Sequence, residues 1–268
     1  MIMKLTAQTA PLMSSHLAAG CASGPGKYRT IMDSVTAEKV SRIIRSDVIP
    51  YSGEKHTDII HRVSSAFPGT PYLADSLTGG PDTPEALVAN FNGVDCFTLI
   101  DYVEALARSH DEKSFLHHLV QVRYVEGNVD YLSRRHFFSD WFATTPHNAR
   151  DVTPDISPDC TVADKHLNRK TDGGEYIPGL GTHPRTLNYI PGKAISPQML
   201  GQLQSGDYVG VYSPLAGLDV SHVGIVIHYD GQIWFRNASS LDANRSVVDS
   251  PFLEYMRAKP GIVVLRAE

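Results

Sequence analysis

Three residues of this 268-residue chain have the side-chain types that nucleophilic amide chemistry needs: Cys96, His222 and Asn237. Cys96 follows Asp95 in "NGVDCFTLIDYVEAL" (92–106), where Leu99, Ile100, Val103, Leu106 and Ala107 recur at helical spacing. Asp95, or Asn92 further back, is placed to cap that helix. A cysteine in a first helical turn meets unpaired N–H groups that favour its thiolate, the reactive form. An imidazole can take up the thiol proton and return it to a leaving amine, and an amide oxygen can fix which ring nitrogen does so. Taken singly these residues mean little. A lone cysteine is usually inert packing, a lone strand histidine is usually a satisfied one, and Asn237 alone would be a turn or edge residue.

The elements that must bring them together are strands near the C-terminus. "GDYVGVYS" (206–213), "SHVGIVIHYDGQIWFRNASS" (221–240) and "GIVVLRA" (261–267) alternate or run apolar, as an antiparallel sheet does. Asp230-Gly231 between two such runs is a two-residue type I′ turn signal. With Tyr229 paired to Gln232, His222 falls opposite Ser239 and Asn237 opposite Gly224. His222 and Asn237 then share a sheet face as diagonal neighbours, roughly 6–8 Å apart at Cβ. A three-residue loop would put them on opposite faces. Upstream, "TAEKVSRIIR" (36–45) reads as a helix capped by Thr36, and "ALVANF" (86–91) as a strand leading to Cys96. "VQVRYVEG" (120–127) reads as a strand, "SRRHFFSDWFAT" (133–144) as an amphipathic helix, and 147–196 as loops with short strands. Helices followed by an antiparallel sheet make the class α+β.

Composition is that of an ordinary globular chain, 42% hydrophobic and 20% charged with a formal net charge of −5. No run of Lys or Arg exceeds two, so no basic face for nucleic acid is expected. Three cysteines, Cys21, Cys96 and Cys160, form neither a disulfide framework nor a zinc spacing. Cys160, in "SPDCTVAD", reads as incidental. The histidines His61, His117 and His118 follow no ligand motif, so no metal is expected. Residues 1–24 read as a signal or lipoprotein leader, because "LAAGC" puts small residues before Cys21, or as a disordered tail. Residues 25–268 read as a single catalytic domain with loop insertions around 110–200. Membrane attachment, where there is any, would come through a lipidated Cys21 in a bacterial envelope.

Arg134, Arg135 and His136 could meet a carboxylate or a sugar, against the alternative of a solvated helix face. Tyr131, Phe137, Trp141 and Trp234 could stack on sugar rings, though core packing is the commoner role for such residues.

In the order Asp95-Cys96, Gly206-Asp207, His222-Val223-Gly224-Ile225 and Asn237, the chain resembles the NlpC-type, permuted papain-like cysteine peptidases of bacterial cell walls. "VRYVEGNVDYLSRRHFFSDWF" (122–142), "NYIPGKAI" (188–195) and "NASS" (237–240) resemble the N-acetylmuramoyl-L-alanine amidase-like branch. The resemblance spans most of 36–266. It implies a permuted papain-like fold, with the nucleophile's helix end packed on a C-terminal sheet or half-barrel. It also implies cleavage of the amide between muramic acid and L-alanine in peptidoglycan fragments, without metal or cofactor. Cys96 would be the nucleophile, His222 the base and Asn237 the orienter. Asp95, Tyr131, Arg134, Arg135, His136, Tyr189, Ser221 and Ser239 would line the substrate groove. The branch pattern is "HASS" where this chain has Asn237. Two other readings stand beside it: a D-glutamyl–diaminopimelate stem-peptide endopeptidase, and a non-catalytic muropeptide-binding lipoprotein.

Overall fold

The C-terminal run of apolar strands pairs as the sequence predicts, in a computed structural model that describes residues 28–267. Cys21 and the leader lie outside the described residues.

The chain enters through β1 (Arg29–Met32) and α1 (Ser34–Ile43), which a π-turn over Ile44–Val48 prolongs. The cap of α1 is Asp33, whose carboxylate accepts from the Thr36 N–H at 2.7 Å. Thr36, expected as the cap, is instead buried, and its hydroxyl accepts from the Phe91 N–H. Next come α2 (His56–Ser64), β2 (Thr78–Gly80) and β3 (Thr83–Ala89). β3 pairs parallel to β1 and antiparallel to β2 in a small sheet.

Then α3 (Cys96–Ala107) begins, buried on every side from Thr98 to Ala107. Its two buried acids are paired. Asp101 accepts from Arg123 Nε at 2.8 Å. Glu104 meets His56 at 2.9 Å, the Tyr208 hydroxyl at 2.7 Å, and Arg108. Burial alone would raise Glu104, but His56, Arg108 and Tyr208 outweigh it and hold the carboxyl at about 2.

α4 (Glu112–Arg123) starts with an Asp111–Ser114 capping box and runs through "VQVR", where the sequence suggests a strand. The strong cap and the buried Leu119, Val120 and Val122 override the β-propensity of the valines. Within 133–144 only α5 (Asp140–Ala143) is α-helical, while Ser133 closes a 3-10 turn over Tyr131–Ser133. Arg134 and Arg135 are extended there: Tyr124 and Arg134 form a β-bridge, and the Arg135 N–H donates to the Arg123 carbonyl. Tertiary hydrogen bonds thus replace the expected helix.

The stretch 147–196 contains β4 (Ala149–Asp151), α6 (Thr153–Ile156), β5 (Thr161–Leu167) and β6 (His183–Pro191). It is more regular than the loops its Pro and Gly content suggests. After α7 (Pro197–Leu200) come β7 (Tyr208–Tyr212), β8 (Val220–Tyr229), β9 (Gln232–Ala238) and β10 (Val247–Pro251). α8 (Phe252–Arg257) and β11 (Gly261–Ala267) complete the chain. The large sheet is antiparallel in the order β10-β9-β8-β7-β11-β6-β5, with β4 also on β11.

One apolar layer packs α3 against Tyr208, Val223, Ile225 and Val263. A second, on Val209, Val211, Phe235 and Val264, packs Phe252 and Met256 of α8. The architecture is mixed α+β built on a large antiparallel sheet.

Candidate active site

The β8–β9 hairpin has the predicted two-residue loop: Asp230 and Gly231 both have positive φ (52° and 70°), and Tyr229 pairs with Gln232. In that register His222 Nε2 and Asn237 Oδ1 are 2.9 Å apart. The Asn237 Nδ2 donates to the Phe235 carbonyl at 3.0 Å and to Ser250 Oγ at 3.3 Å, which turns its Oδ1 toward the ring. An acceptor there requires Nε2 to carry the proton. Nδ1 is therefore the free base of the neutral imidazole. The ring also stands edge-on to Phe235, with centroids 5.9 Å apart. Gly224 is small for a reason, since a Cβ there would meet the Arg236 carbonyl at 2.4 Å.

Cys96 is the first residue of α3, and Asp95 is its N-cap. The Asp95 carboxylate accepts from the N–H groups of Phe97 (3.0 Å) and Thr98 (2.7 Å) in a capping box. The half-buried thiol lies against the N–H of Val223, the residue after His222, as well as its own N–H and that of Phe97. The helix end therefore delivers the sulfur to the strand that holds the imidazole.

Its protonation differs from the expectation of a lowered thiol pKa. Burial, and after it the Asp95 carboxylate, push the Cys96 thiol up to about 12 against the pull of those three N–H groups. Burial also lowers His222, with Lys259 adding to the effect and Asn237 and Asp95 opposing it. Both directions favour a neutral thiol–imidazole pair over a preformed ion pair. Two pH results follow. The acid limb of kcat/KM is expected below 6.5, because His222 stays unprotonated until the pH falls under its ordinary value. Iodoacetamide alkylation of Cys96 should climb steadily above pH 7. A rate already level from pH 5 upward would show an ion pair and overturn this assignment. Slow alkylation at neutral pH consequently does not separate a nucleophile from a packed cysteine here.

The other expected groove residues divide. Arg135 is excluded: its buried guanidinium donates to Thr144 Oγ1 and to the carbonyls of Gln121, Val122, Tyr124 and Pro146. Ser239 is buried and closes a loop, accepting from the Leu241 N–H and Asn244 Nδ2. Arg134 is held bidentately by Glu85 at 2.7 Å on each arm, 5.3 Å from the Tyr131 ring. His136 bonds the Tyr131 carbonyl at 2.7 Å, and burial takes its pKa down to about 4, so it is neutral at pH 7. This Tyr131–Arg134–His136 cluster has no hydrogen bond or ring contact to Cys96, His222 or Asn237 among the described residues. Tyr189 stacks on Tyr212 at 3.8 Å, and Ser221 is exposed beside His222. Phe137 and Trp141 are core residues, and Trp234 is partly buried against the core.

Four neighbours escaped the sequence. Burial raises both Tyr72 and Tyr255 above the ordinary tyrosine value, and both lie within electrostatic range of Cys96. Arg245 sits over the Tyr72 ring at 5.2 Å, and Lys259 over the Tyr255 ring at 4.4 Å. None of the four belongs to a periodic pattern or short motif that could have marked it. Among the described residues no cluster of three or more His, Cys, Asp or Glu side chains is arranged to hold a metal ion.

The family model described as AmiA-like, N-acetylmuramoyl-L-alanine amidase-like, matches residues 62–262. A solved Legionella pneumophila protein of the DUF1460 family has the same fold, with TM-score 0.72 and 22% identity over 87% of this chain and 94% of that one. An N-acetylmuramoyl-L-alanine amidase from Bacteroides uniformis is 27% identical with TM-score 0.65, over 80% of this chain and all of that one. A Bacteroides fragilis protein named provisionally as a xylanase is 28% identical with TM-score 0.63, over 76% and 98%. No curated protein matches the chain.

Proposed function

Because the chain belongs to the AmiA-like, N-acetylmuramoyl-L-alanine amidase-like family, we propose that it is a cysteine-dependent amidase of peptidoglycan fragments. It cleaves the bond between the lactyl group of muramic acid and L-alanine. The observation that carries the reading is the Cys96 thiol against the Val223 N–H, next to a His222 whose Nε2 is fixed by Asn237.

The chemistry follows from that arrangement. His222 Nδ1 takes the thiol proton as sulfur attacks the lactyl carbonyl carbon. The neutral pair becomes charged only as the bond forms. The backbone N–H of Cys96 would receive the developing oxyanion. The imidazolium then gives its proton to the L-alanine nitrogen, which leaves as a free amine, and water hydrolyses the muramoyl thioester with His222 again as base. On this reading the fold is the permuted papain-like one, residues 25–268 form one catalytic domain, and the leader with Cys21 directs the protein to the envelope. A xylanase would need two carboxyl groups flanking a glycosidic bond, whereas the polar pair joined across β8 and β9 here is His222–Asn237.

Mass spectrometry of digested muropeptides tests the bond. Release of an intact stem peptide beginning with L-alanine is the expected product. A shorter peptide, beginning at diaminopimelate, would move the cut into the stem and sink this assignment.

A further inference from the structure

Arg245 and Lys259 share a setting that the amidase chemistry does not use. Each cation lies on the face of a tyrosine within electrostatic range of Cys96, and neither forms a salt bridge among the described residues. Arg123, Arg134, Arg185, Arg236 and Arg266, by comparison, are each held by an acid.

Arg245 is tied to the nucleophile's turn through the backbone. Its carbonyl accepts from the Tyr72 N–H at 2.8 Å, and Tyr72 bridges Val94, two residues before Cys96. Arg245 also has φ +44°, a left-handed conformation uncommon for arginine, at the exposed end of the β9–β10 loop. Lys259 stands on the other partner's side. Its ammonium caps Tyr255, which packs on Phe235 at 5.4 Å, and Phe235 carries the His222 ring. A cation resting on a ring keeps donors for an anion, and a guanidinium offers a planar fork that fits a carboxylate. Asp75 and Asp95 also lie near Tyr72 and oppose an anion there. Asp95, however, is already engaged by the N–H groups of α3.

We propose that Arg245 and Lys259 form a carboxylate-recognition pair, one beside the nucleophile's turn and one beside the His222 strand, so that the enzyme selects peptides carrying free carboxylates near the scissile amide. The inference rests on the amidase reading above and adds to it the charge of the peptide that is accepted.

The test compares muropeptides with free stem-peptide carboxylates against the same fragments with those carboxylates amidated. The wild type, Arg245→Gln, Lys259→Gln and the double variant are each assayed. Wild type should prefer the acidic fragments about 10-fold or more in kcat/KM. Each variant should lose about 10-fold on the acidic fragments through KM, with kcat within about 2-fold and much less loss on the amidated ones. Equal cleavage of both by the wild type, or variants that keep its preference, overturns the pair and leaves the amidase intact. If the wild type cleaves neither fragment, the amidase reading itself fails. Titration of Cys96→Ser with the two fragments then decides the pair, and discrimination under about 2-fold overturns it.

Discussion

Cys96→Ala is expected to lower kcat/KM for muropeptide amide cleavage by a factor on the order of 10⁴ or more, with the protein still folded. The size follows from what the thiol does in the proposed step. It supplies the atom that bonds to the lactyl carbonyl, and the side chain hydrogen-bonded to the His222 ring is Asn237, an amide that cannot replace it as nucleophile. The substitution leaves the local fold its supports. Asp95 caps α3 through the Phe97 and Thr98 N–H groups, and those bonds do not involve the thiol. Loss of one half-buried sulfur should cost no more than about 1–2 kcal/mol. Cys96→Ser is the sharper control, because it keeps the shape. An alkoxide is far harder to form than a thiolate, and a neutral imidazole matched to a thiol activates it poorly. Unaltered thermal unfolding with product undetectable over wild-type assay times is the expected pair of results. Retention of more than about a tenth of the activity in either variant would return Cys96 to the status of a packed residue and leave a muropeptide-binding protein as the reading.

The sequence revealed the His222–Asn237 hydrogen bond because everything it needs is local. A two-residue turn at Asp230-Gly231 fixes the register, and the register fixes which side chains share a face. Asp95 as helix cap was legible for the same reason, since a cap acts within one turn. What was not legible depends on contacts distant in the chain. Val122 is helical because α4 is capped at Asp111 and buried, although its immediate neighbours look like a strand. Arg135 appears free for substrate in the sequence, yet it is used up by carbonyls from Gln121 to Pro146 that only the fold assembles. The thiol's position was foreseen and its pKa was not. The gain from a helix N-terminus is a local property, whereas the loss from burial against β8 is a tertiary one, and here burial wins.

The largest expected effect on stability lies behind the nucleophile. Arg123→Met should destabilise the protein by about 3–5 kcal/mol, lowering Tm by roughly 10 °C. Arg123 and Asp101 are both buried, each only 3% exposed at the side chain, and joined at 2.8 Å. A second arm of the guanidinium donates to the Val88 carbonyl of β3 at 2.7 Å, and its carbon sits 5.3 Å from the Tyr102 ring. Burial opposes both charges and raises Asp101, while Asp101, Tyr102 and Tyr124 raise Arg123; a guanidinium keeps its proton in a protein, so with its Nε 2.8 Å from the carboxylate the pair is ionic. Methionine fills much of the same volume, so the cost arises mainly from stranding a carboxylate inside α3 and from losing the partner of a β3 carbonyl. Thermal unfolding separates this from a simple packing loss. Arg123→Met combined with Asp101→Leu removes both charges and should recover at least half of the lost stability, because apolar replacement of a whole buried pair is often neutral. A single variant that unfolds within about 2 °C of wild type, or a double variant less stable than the single one, would show that α3 is held in place by its apolar faces alone.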